Sequence, residues 1–504
     1  MSFTSKLLLQ VVGLVVAGYV FRLWSQYNRL KAFKGPLGTG FTNLWLVKAV
    51  LGLNTHLEYY NVCKKYGPLS RVGPDTLITD SPELLIRMNA ARSAYTKGAW
   101  YKGNRIQPGH DNVFSMLSET GHAQRRTQMA AGYSGKENLS LESSVDTHVQ
   151  SFIRLIRKKY LSNDKGAFKP MDLARKAQFF TLDVITDVAF GQPFGDLEQD
   201  EDIHKYIQST EEMLQVIILM GTIPAVSDIV QSESVGTLLF PSGKESTGIG
   251  RLIGIAQQIV GERFSASAQA QPDMLGSFMR HGLNEEELVS ESLMQILAGG
   301  DTSATAIRAT MLHLMTNRRS YEALRDEIDT AVRAGKISSP VIKDVEGQAL
   351  PYLQAVIKEG MRIWPPVTGL LSKKSPPEGD TVEILGKTYF IPGNTNVGYC
   401  AWGVMHSTDV FGEDADVFRP ERWLEPESEK LSRMHKTVEL AWGYGKYQCL
   451  GKNVAMIELN KVFVELLRNF DFEIIDPTRP WKSGNVGLWM QSELWVRVLE
   501  REHS

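Results

Sequence analysis

The fold of this chain is decided by the stretch Trp442-Gly443-Tyr444-Gly445-Lys446-Tyr447-Gln448-Cys449-Leu450-Gly451. It places one cysteine between glycines, directly ahead of an amphipathic run from Lys452 to Leu467. A thiolate there lies near a helix N-terminus, where backbone N–H groups and the helix dipole favour negative charge. Glycines have no Cβ, so a flat group can approach the backbone closely. The stretch is a candidate socket for a planar metal cofactor bound through sulfur, and the alternative is a buried free cysteine in a glycine-rich turn.

Composition describes an ordinary globular protein. Of the 504 residues, 43% are hydrophobic and 22% are charged, which is enough apolar material for a large core. The net charge is −2, so no overall field favours nucleic acid. The three cysteines, Cys63, Cys400 and Cys449, are widely spaced and odd in number. They indicate no disulfide framework and a reducing compartment.

The N-terminal region differs from the rest. Leu7 to Phe21 is apolar apart from Gln10, and with its flanks it approaches the length that spans a bilayer. Basic residues follow it, which predicts that the remaining chain faces the cytosol. Since no small-x-small cleavage site follows, we favour an uncleaved anchor over a signal peptide. Residues 1–34 are therefore predicted to form a membrane anchor with a basic linker, and residues 35–504 a single domain.

Secondary-structure patterns predict a mainly helical body. Residues 66–80 read as β structure with turn residues between apolar runs, and residues 82–361 have mainly helical periodicity. Short β segments return at 381–391 and 486–498. The expected fold class is mainly α, of the α+β kind, with small sheets at one end.

One predicted helix, Leu293 to Ile307, contains Gly299-Gly300 in its middle, followed by Asp301 and Thr302. Each mid-helix glycine costs about 1 kcal/mol relative to alanine. Such a cost is tolerated where a group approaches the backbone or where the helix opens. The alternative is a helix–helix crossing with a capping Asp-Thr pair.

Together these segments resemble the cytochrome P450 family. The cysteine stretch is similar to its haem-binding loop, Phe-x-x-Gly-x-Arg-x-Cys-x-Gly, with Trp442 at the Phe position and Tyr447 at the Arg position. Residues 298–303 match the family's Ala/Gly-Gly-x-Asp/Glu-Thr-Thr/Ser motif, residues 359–362 its Glu-x-x-Arg motif, and residues 418–423 its Pro-Glu-Arg-Phe/Trp motif. The resemblance runs from about residue 35 to the end and implies the P450 fold as one domain.

The resemblance implies roles for individual residues. Cys449 would be the axial ligand of haem b iron, and Asp301 and Thr302 would be catalytic, delivering protons to bound oxygen. Contacts to the haem and its propionates would come from Arg126, His122, Lys373, Tyr447, Trp442, Gly443, Gly445 and Gly451. A tyrosine at position 447 supplies one hydrogen bond but no charge. Glu359, Arg362 and Arg422 would brace the loop, and the substrate pocket would include Leu297, Ala298, Val367, Leu370 and Leu488. Arg125 is expected on a solvated surface, outside the site.

The implied function is a haem-thiolate monooxygenase that inserts one oxygen atom from O2 into an apolar small molecule. Because no flavin or dinucleotide fingerprint is present, electrons would come from NADPH through a separate NADPH–cytochrome P450 reductase, with cytochrome b5 as a further donor. Lys446, Lys452 and Lys461 are candidate docking cations. The overall pattern resembles microsomal enzymes of filamentous fungi near pisatin demethylase. It implies an endoplasmic reticulum membrane location and a tailoring step on a terpenoid, alkaloid or polyketide.

Other functions on the same fold remain open. They are oxidative desaturation, ring coupling, or isomerisation or dehydration of a peroxide substrate, and, in a different class, a non-catalytic haem sensor. The Asp301-Thr302 pair favours the monooxygenase, because relatives that isomerise or dehydrate peroxides tend to lack that threonine and a sensor needs no proton relay.

Overall fold

A computed structural model describes residues 3–163, 168–265 and 271–501 of the protein. Helix accounts for 57% of the chain and the strands form small sheets, so the fold is mainly helical, as predicted. The predicted domain boundary at residues 34 and 35 stays a prediction.

The α-helices occupy most of the first three quarters of the chain. Their bounds are α1 Phe3–Arg29, α2 Leu44–Leu51, α3 Thr55–Tyr66, α4 Pro82–Asn89, α5 Glu119–Tyr133, α6 Leu141–Leu155, α7 Leu173–Phe190, α8 Asp196–Gln199, α9 Tyr206–Thr222, α10 Pro224–Val230, α11 Glu233–Leu239, α12 Gly248–Phe264, α13 Met274–Arg280, α14 Glu285–Thr316, α15 Arg318–Arg333, α16 Asp344–Gln348, α17 Pro351–Ile363, α18 Ala401–Met405, α19 Thr408–Phe411, α20 Glu429–Val438 and α21 Lys452–Asn469. Short 3-10 turns lie at Ala99–Asn104, Pro420–Trp423, Glu439–Trp442 and Gly445–Tyr447, and a π-helical turn at Ile156–Tyr160.

Within the part of the chain that the structure describes, the strands form four small sheets. They are β1 Leu69–Arg71, β2 Thr76–Thr79, β3 Thr96–Lys97, β4 Leu161–Ser162, β5 Met171–Asp172, β6 Lys373–Lys374, β7 Asp380–Ile384, β8 Lys387–Ile391, β9 Asn396–Tyr399, β10 Phe470–Ile474, β11 Lys482–Asn485, β12 Trp489–Ser492 and β13 Trp495–Glu500. The largest sheet has the order β1-β2-β9-β6-β3, with β2 parallel to β9 and the other pairs antiparallel. It brings residues 96–97 next to residues 373–374, although nearly 280 positions separate them in the chain.

Helix α14 crosses the centre of the body and packs along α7. A Cβ at Gly299 would lie 2.6 Å from Ile185 Cγ1, and one at Gly300 would lie 2.6 Å from Leu182 Cδ2. Both distances are shorter than a carbon–carbon contact allows, so only glycine fits there. The helix is continuous through these residues. The two glycines therefore serve a helix crossing, the alternative given above, rather than an opening of the helix.

The end of α1 is held on the body. The buried Arg71 side chain donates to the backbone oxygens of Gln26 and Tyr27 at 3.1 Å, and Leu30 and Phe33 are buried in the core beside the largest sheet. Several side chains of the apolar run from Leu7 to Phe21 lie outside the described residues. Within the described residues, no single helix is long and apolar enough to cross a bilayer; α9 and α10 meet that length and hydropathy only jointly, with a bend of 115° between them.

Two cysteines that are far apart in sequence meet in the core. Cys63 on α3 and Cys400 before α18 are both buried free thiols, and the Cys63 thiol hydrogen-bonds with Cys400. Their separation in the chain gave no indication of this contact.

Candidate active site

Backbone hydrogen bonds within the cysteine loop fix its conformation. The Cys449 N–H donates to the Trp442 oxygen at 2.7 Å, and Gly443 has a φ of +72°, where a side chain would meet the Tyr447 oxygen at 2.7 Å. Gly451 forms the N-cap of α21, and the Cys449 sulfur accepts hydrogen bonds from the backbone N–H groups of Gly451 and Lys452. Burial raises the pKa of the Cys449 thiol, and these N–H groups and Arg126 oppose that rise. The thiol lies deep in the protein but is open to an internal cavity.

Gly445 does not face that cavity, contrary to its predicted place in the cofactor site. Its φ is +55°, and a Cβ there would lie 2.3 Å from the Asn89 oxygen at the end of α4. Gly445 therefore lets the loop pack against α4, and only Gly443 and Gly451 of the predicted glycines line the cavity.

The cavity has a volume of about 300 Å³ and lies between the cysteine loop and α14. Its walls are mostly apolar, and they include Met88, Val113, Phe114, Met294, Ala298, Ala306, Val367 and Leu371. Thr302 and Ser303 of α14 also line it. An apolar chamber with few polar groups is the usual form of a small-molecule site.

Cationic side chains collect at one end of the cavity. Lys97, Arg126 and Lys373 all line it, together with His122. Burial lowers the pKa of Lys97 to about 7, and it lowers the pKa of Lys373 well below its ordinary value. The pKa of His122 falls to about 3 through burial and the neighbouring Lys97 and Arg126, so this imidazole is neutral at pH 7 and can donate one hydrogen bond.

Tyr447 and Lys373 lie beside each other, and both line the cavity. The Tyr447 hydroxyl donates to Glu119 Oε1 at 2.5 Å, so its hydrogen bond goes to a side chain of the protein. Lys373 Nζ donates to the Tyr101 hydroxyl at 2.6 Å and lies 3.8 Å from the centre of the Tyr447 ring. Tyr447 thus contributes its aromatic face to a buried cation. Glu119 also pairs with Lys446 at 2.8 Å.

Sequence reasoning missed Lys97, Tyr101 as the partner of Lys373, and Glu119. Lys97 lies in a two-residue strand, where no periodicity distinguishes it, and its Nζ donates to the oxygens of Val113 and Phe114 at 2.9 and 2.8 Å. Its place beside Lys373 follows from the pairing of β3 with β6, which no local pattern predicts.

The donor set fits haem. A thiol supported by two peptide N–H groups forms one wall, which suits sulfur ligation of iron. Three cations face the cavity end, and the nearby carboxylate of Glu119 is already engaged by Lys446 and Tyr447. Burial is the main cause of the lowered pKa values of Lys97 and Lys373, neighbouring cations lower them further, and an anion beside the two ammonium groups would raise them. The two propionates of haem would supply the missing anions.

Thr302 and Asp301 face different surroundings on α14. Thr302 lines the cavity, and its hydroxyl donates to the Ala298 oxygen at 2.7 Å, so it can turn to donate into the cavity instead. Asp301 is buried and does not line the cavity. It accepts hydrogen bonds from Gln178 Nε2 at 2.5 Å and from the Tyr206 hydroxyl at 3.0 Å. Burial raises the pKa of Asp301 to about 6, although Arg308, Tyr206 and Gln178 act against the rise.

A small polar cavity adjoins Asp301. Its volume of about 10 Å³ is close to the space of one water molecule. Arg308 and Gln491 line it, and within the described residues Arg308 Nε and Gln491 Oε1 have no hydrogen-bond partner. These groups are suited to hold a water beside a carboxyl that can carry a proton.

The three predicted brace residues meet in the core with their side chains fully buried. Arg362 donates to both carboxylate oxygens of Glu359 at 2.9 and 2.7 Å, and Arg422 Nε donates to Oε1 at 3.0 Å. Trp423 Nε1 adds a fourth donor at 2.9 Å. Although burial acts to raise it, Arg362 and Arg422 hold the pKa of Glu359 below its ordinary value.

The predicted substrate pocket is corrected in part. Ala298 and Val367 line the main cavity. Leu297 faces a separate small apolar cavity under α9 and α12, and Leu370 and Leu488 pack in the core beside α3. Leu371, which has a φ of +40°, takes the cavity position that we assigned to Leu370.

The predicted docking lysines are all engaged. Lys461 is fully buried and pairs with Glu142 and Asp146, so it cannot meet a partner protein. Lys452 pairs with Glu439, and Lys446 with Glu119. Arg125 is buried rather than solvated, because it pairs with Glu287 and Glu291 on α14. It does not line the cavity, in agreement with its exclusion from the site.

Comparison with known proteins assigns the family. Residues 38–494 match the family model described as Cytochrome P450. The chain is 40% identical over 481 residues to cytochrome P450 monooxygenase ABA1 of Pyricularia oryzae, covering 94% of this chain and 93% of the relative. It is 41% identical over 463 residues to cytochrome P450 monooxygenase aba1 of Botryotinia fuckeliana (92% and 90%), and 33% identical over 462 residues to cytochrome P450 monooxygenase abl1 of Leptosphaeria maculans (90% and 80%). The chain belongs to the cytochrome P450 family of monooxygenases.

Proposed function

We propose that this protein is a haem-thiolate monooxygenase that inserts one oxygen atom from O2 into an apolar small molecule, as a tailoring step in fungal secondary metabolism. The observation that carries the proposal is the cavity itself, with the Cys449 thiol on one wall, Thr302 on the opposite wall and three cations at one end. Haem held there would bind and activate dioxygen. The organisms of the related monooxygenases are filamentous fungi, which supports the metabolic setting.

The chain's own residues would position the reactants and the protons. Arg126, Lys97 and Lys373 would hold the propionates, with His122 donating a hydrogen bond. The apolar walls would exclude bulk water and orient the substrate. Thr302 would donate its hydroxyl proton to oxygen in the cavity. Asp301, the preceding residue of α14, would supply the proton that restores the Thr302 hydroxyl.

The proposal extends to partners and location. NADPH–cytochrome P450 reductase would supply the electrons, with cytochrome b5 as a further donor. Helix α1 would anchor the protein in the endoplasmic reticulum membrane with the catalytic body in the cytosol. The exposure of Leu14, Phe21 and Trp24 on α1 supports this placement.

Two measurements test the proposed function. The reduced, carbon monoxide-bound protein should show the absorption of a thiolate-ligated haem, and Cys449→His should lose it. Oxygen consumption should require NADPH and a reductase. Reductase-independent turnover of a peroxide substrate would favour an isomerase or dehydratase, and a bound haem without any oxygen consumption would favour a sensor.

A further inference from the structure

A groove on the outside of the protein carries an unusual concentration of arginine. It has a volume of about 610 Å³ and lies between α6 and α15, with the C-terminal turns of α21 and the end of β13 as its floor. Its lining includes five arginines, Arg154, Arg157, Arg333, Arg468 and Arg501, but only two carboxylates, Asp329 and Glu465. The groove is thus positive on a chain whose net charge is −2.

Some of these arginines build the groove. Arg501 is buried and pairs with Asp329. Arg468 pairs with Glu465 at 2.8 Å and donates to the backbone oxygens of Ser338 and Pro340 at 3.0 and 2.6 Å. These charge-assisted hydrogen bonds fix one wall, so the groove is preformed.

The other arginines are available to a ligand. Arg154 on α6 and Arg333 on α15 are exposed on facing walls, and within the described chain neither guanidinium has a carboxylate partner. Their polar contacts are with hydroxyl groups only, Ser151 at 2.8 Å and Thr330 at 3.5 Å. Arg157 is half-exposed and pairs with Glu500.

Between the charges the surface is apolar. Val149, Ile153 and Val341 form the buried base of the groove, and its apolar surface consists of Ile337, which is partly exposed, and Val332, which is 43% exposed. A small inorganic anion would leave these side chains in water. A peptide with aliphatic side chains between acidic ones would cover them and would also pair with both free guanidinium groups.

From this charge and shape we propose that the groove between α6 and α15 binds an acidic peptide segment of a partner protein, with Arg154 and Arg333 as its two anion contacts. The guanidinium fork donates two parallel hydrogen bonds to a carboxylate, which gives direction as well as attraction. The groove is formed by other residues than the haem cavity, so this binding does not depend on the proposed oxidation.

The test uses the full-length holoenzyme and a fluorescein-labelled peptide, Asp-Glu-Asp-Leu-Val-Asp-Glu-Asp, followed by fluorescence anisotropy. We expect saturable binding that weakens with salt, and Arg154→Gln and Arg333→Gln should each weaken it by at least about fivefold. Arg319→Gln is the matched control, because Arg319 is an exposed arginine on the same helix but outside the groove, and it should change nothing. Both test arginines are exposed and pair with no carboxylate of the described residues, so the carbon monoxide spectrum should be unchanged in each variant.

Several outcomes would overturn the proposal. Equal binding of the peptide in which Asn and Gln replace Asp and Glu would show that charge is not recognised. Unchanged affinity in both groove variants would place the peptide elsewhere. Binding of inorganic phosphate or pyrophosphate, sensitive to both variants, in the absence of peptide binding would make the groove a small-anion site instead.

Discussion

At the scale of single residues, the departure of this chain from its family is concentrated at Tyr447. The sequence predicted that Tyr447 supplies one hydrogen bond, but no charge, to a haem propionate. The structure instead places the Tyr447 ring against the buried Lys373 ammonium and its hydroxyl on Glu119. The positive charge at this end of the cavity therefore comes from Lys97, Arg126 and Lys373, and the ring of Tyr447 stabilises the buried Lys373.

This arrangement predicts that Tyr447→Arg holds haem less tightly than the native protein. The substitution removes a cation–π contact worth about 2 kcal/mol when desolvated and adds a second cation beside Lys373. Haem transfer to apomyoglobin should be faster by roughly tenfold or more. Tyr447→Phe keeps the ring and should be close to native, and transfer from Tyr447→Arg at the native rate would contradict this role.

Thr302 supports a second residue-level prediction. Thr302→Ala removes the Thr302 hydroxyl from the cavity wall, while the alanine keeps the helix and the cavity wall intact. We expect electron use to separate from product formation, with more hydrogen peroxide per NADPH consumed. Thr302→Ser retains the hydroxyl and should stay coupled. Unchanged peroxide release in Thr302→Ala would show that another group supplies the proton.

At the scale of elements, α14 carries its functional residues on two faces. The face with Thr302 lines the cavity, and the face with Asp301 packs against α7 and α9, where Gln178 and Tyr206 fix the carboxyl. Motif matching located both residues, because the motif is local. It could not locate their partners, since Gln178 and Tyr206 are about 120 and 95 positions away and carry no motif of their own. The brace residues were predictable because, like Thr302, they lie in local motifs. Lys97 lies in no such motif and was not predicted.

The raised pKa of Asp301 predicts a pH dependence of stability. Its folded pKa of about 6 exceeds its ordinary value of 3.8, so between these values the folded protein binds more protons than the unfolded chain. The contribution of Asp301 to stability therefore falls as pH rises from about 4 to about 6, by roughly 3 kcal/mol. Asp301→Asn should lose this part of the pH dependence in denaturant unfolding. Parallel pH profiles for the two proteins would place the Asp301 pKa near its ordinary value.

The buried brace gives a prediction about α17. Glu359→Gln leaves Arg362 and Arg422 without their shared carboxylate in a fully buried setting. Removing one partner of such a pair costs about 3–5 kcal/mol. We expect a lower midpoint of urea unfolding and loss of haem-bearing protein on expression. Glu421→Gln is a control on a neighbouring, more exposed carboxylate, which should have little effect.

At the scale of the whole molecule, the N-terminal helix is held on the body by side-chain contacts in addition to its covalent connection. Leu30 and Phe33 are buried, and Arg71 donates to the backbone of the last turns of α1. The apolar N-terminal run was readable from composition, whereas these contacts depend on a distant arginine and could not be predicted.

Two truncations separate the free and the packed parts of this region. Deletion of residues 1–24 should leave thermal stability unchanged, since it spares the contacts of Arg71. Deletion of residues 1–33 removes two buried apolar side chains and two acceptors of Arg71, and it should cost about 4 kcal/mol. Thermal shift measurements on both proteins check this. Equal melting temperatures would mean that Leu30 and Phe33 contribute nothing to the body.

The hydrogen bonds of Arg71 to the end of α1 also limit the rotation of the catalytic body relative to α1. With Arg29 donating to the Gly393 oxygen at 3.0 Å as well, the last turn of α1 is fixed at two points on the body. If α1 lies in a membrane, the catalytic body must tumble together with it and not swivel on a tether. Its rotational correlation time in vesicles should then be that of an embedded particle, and the mouth of the haem cavity should keep one orientation toward the lipid surface.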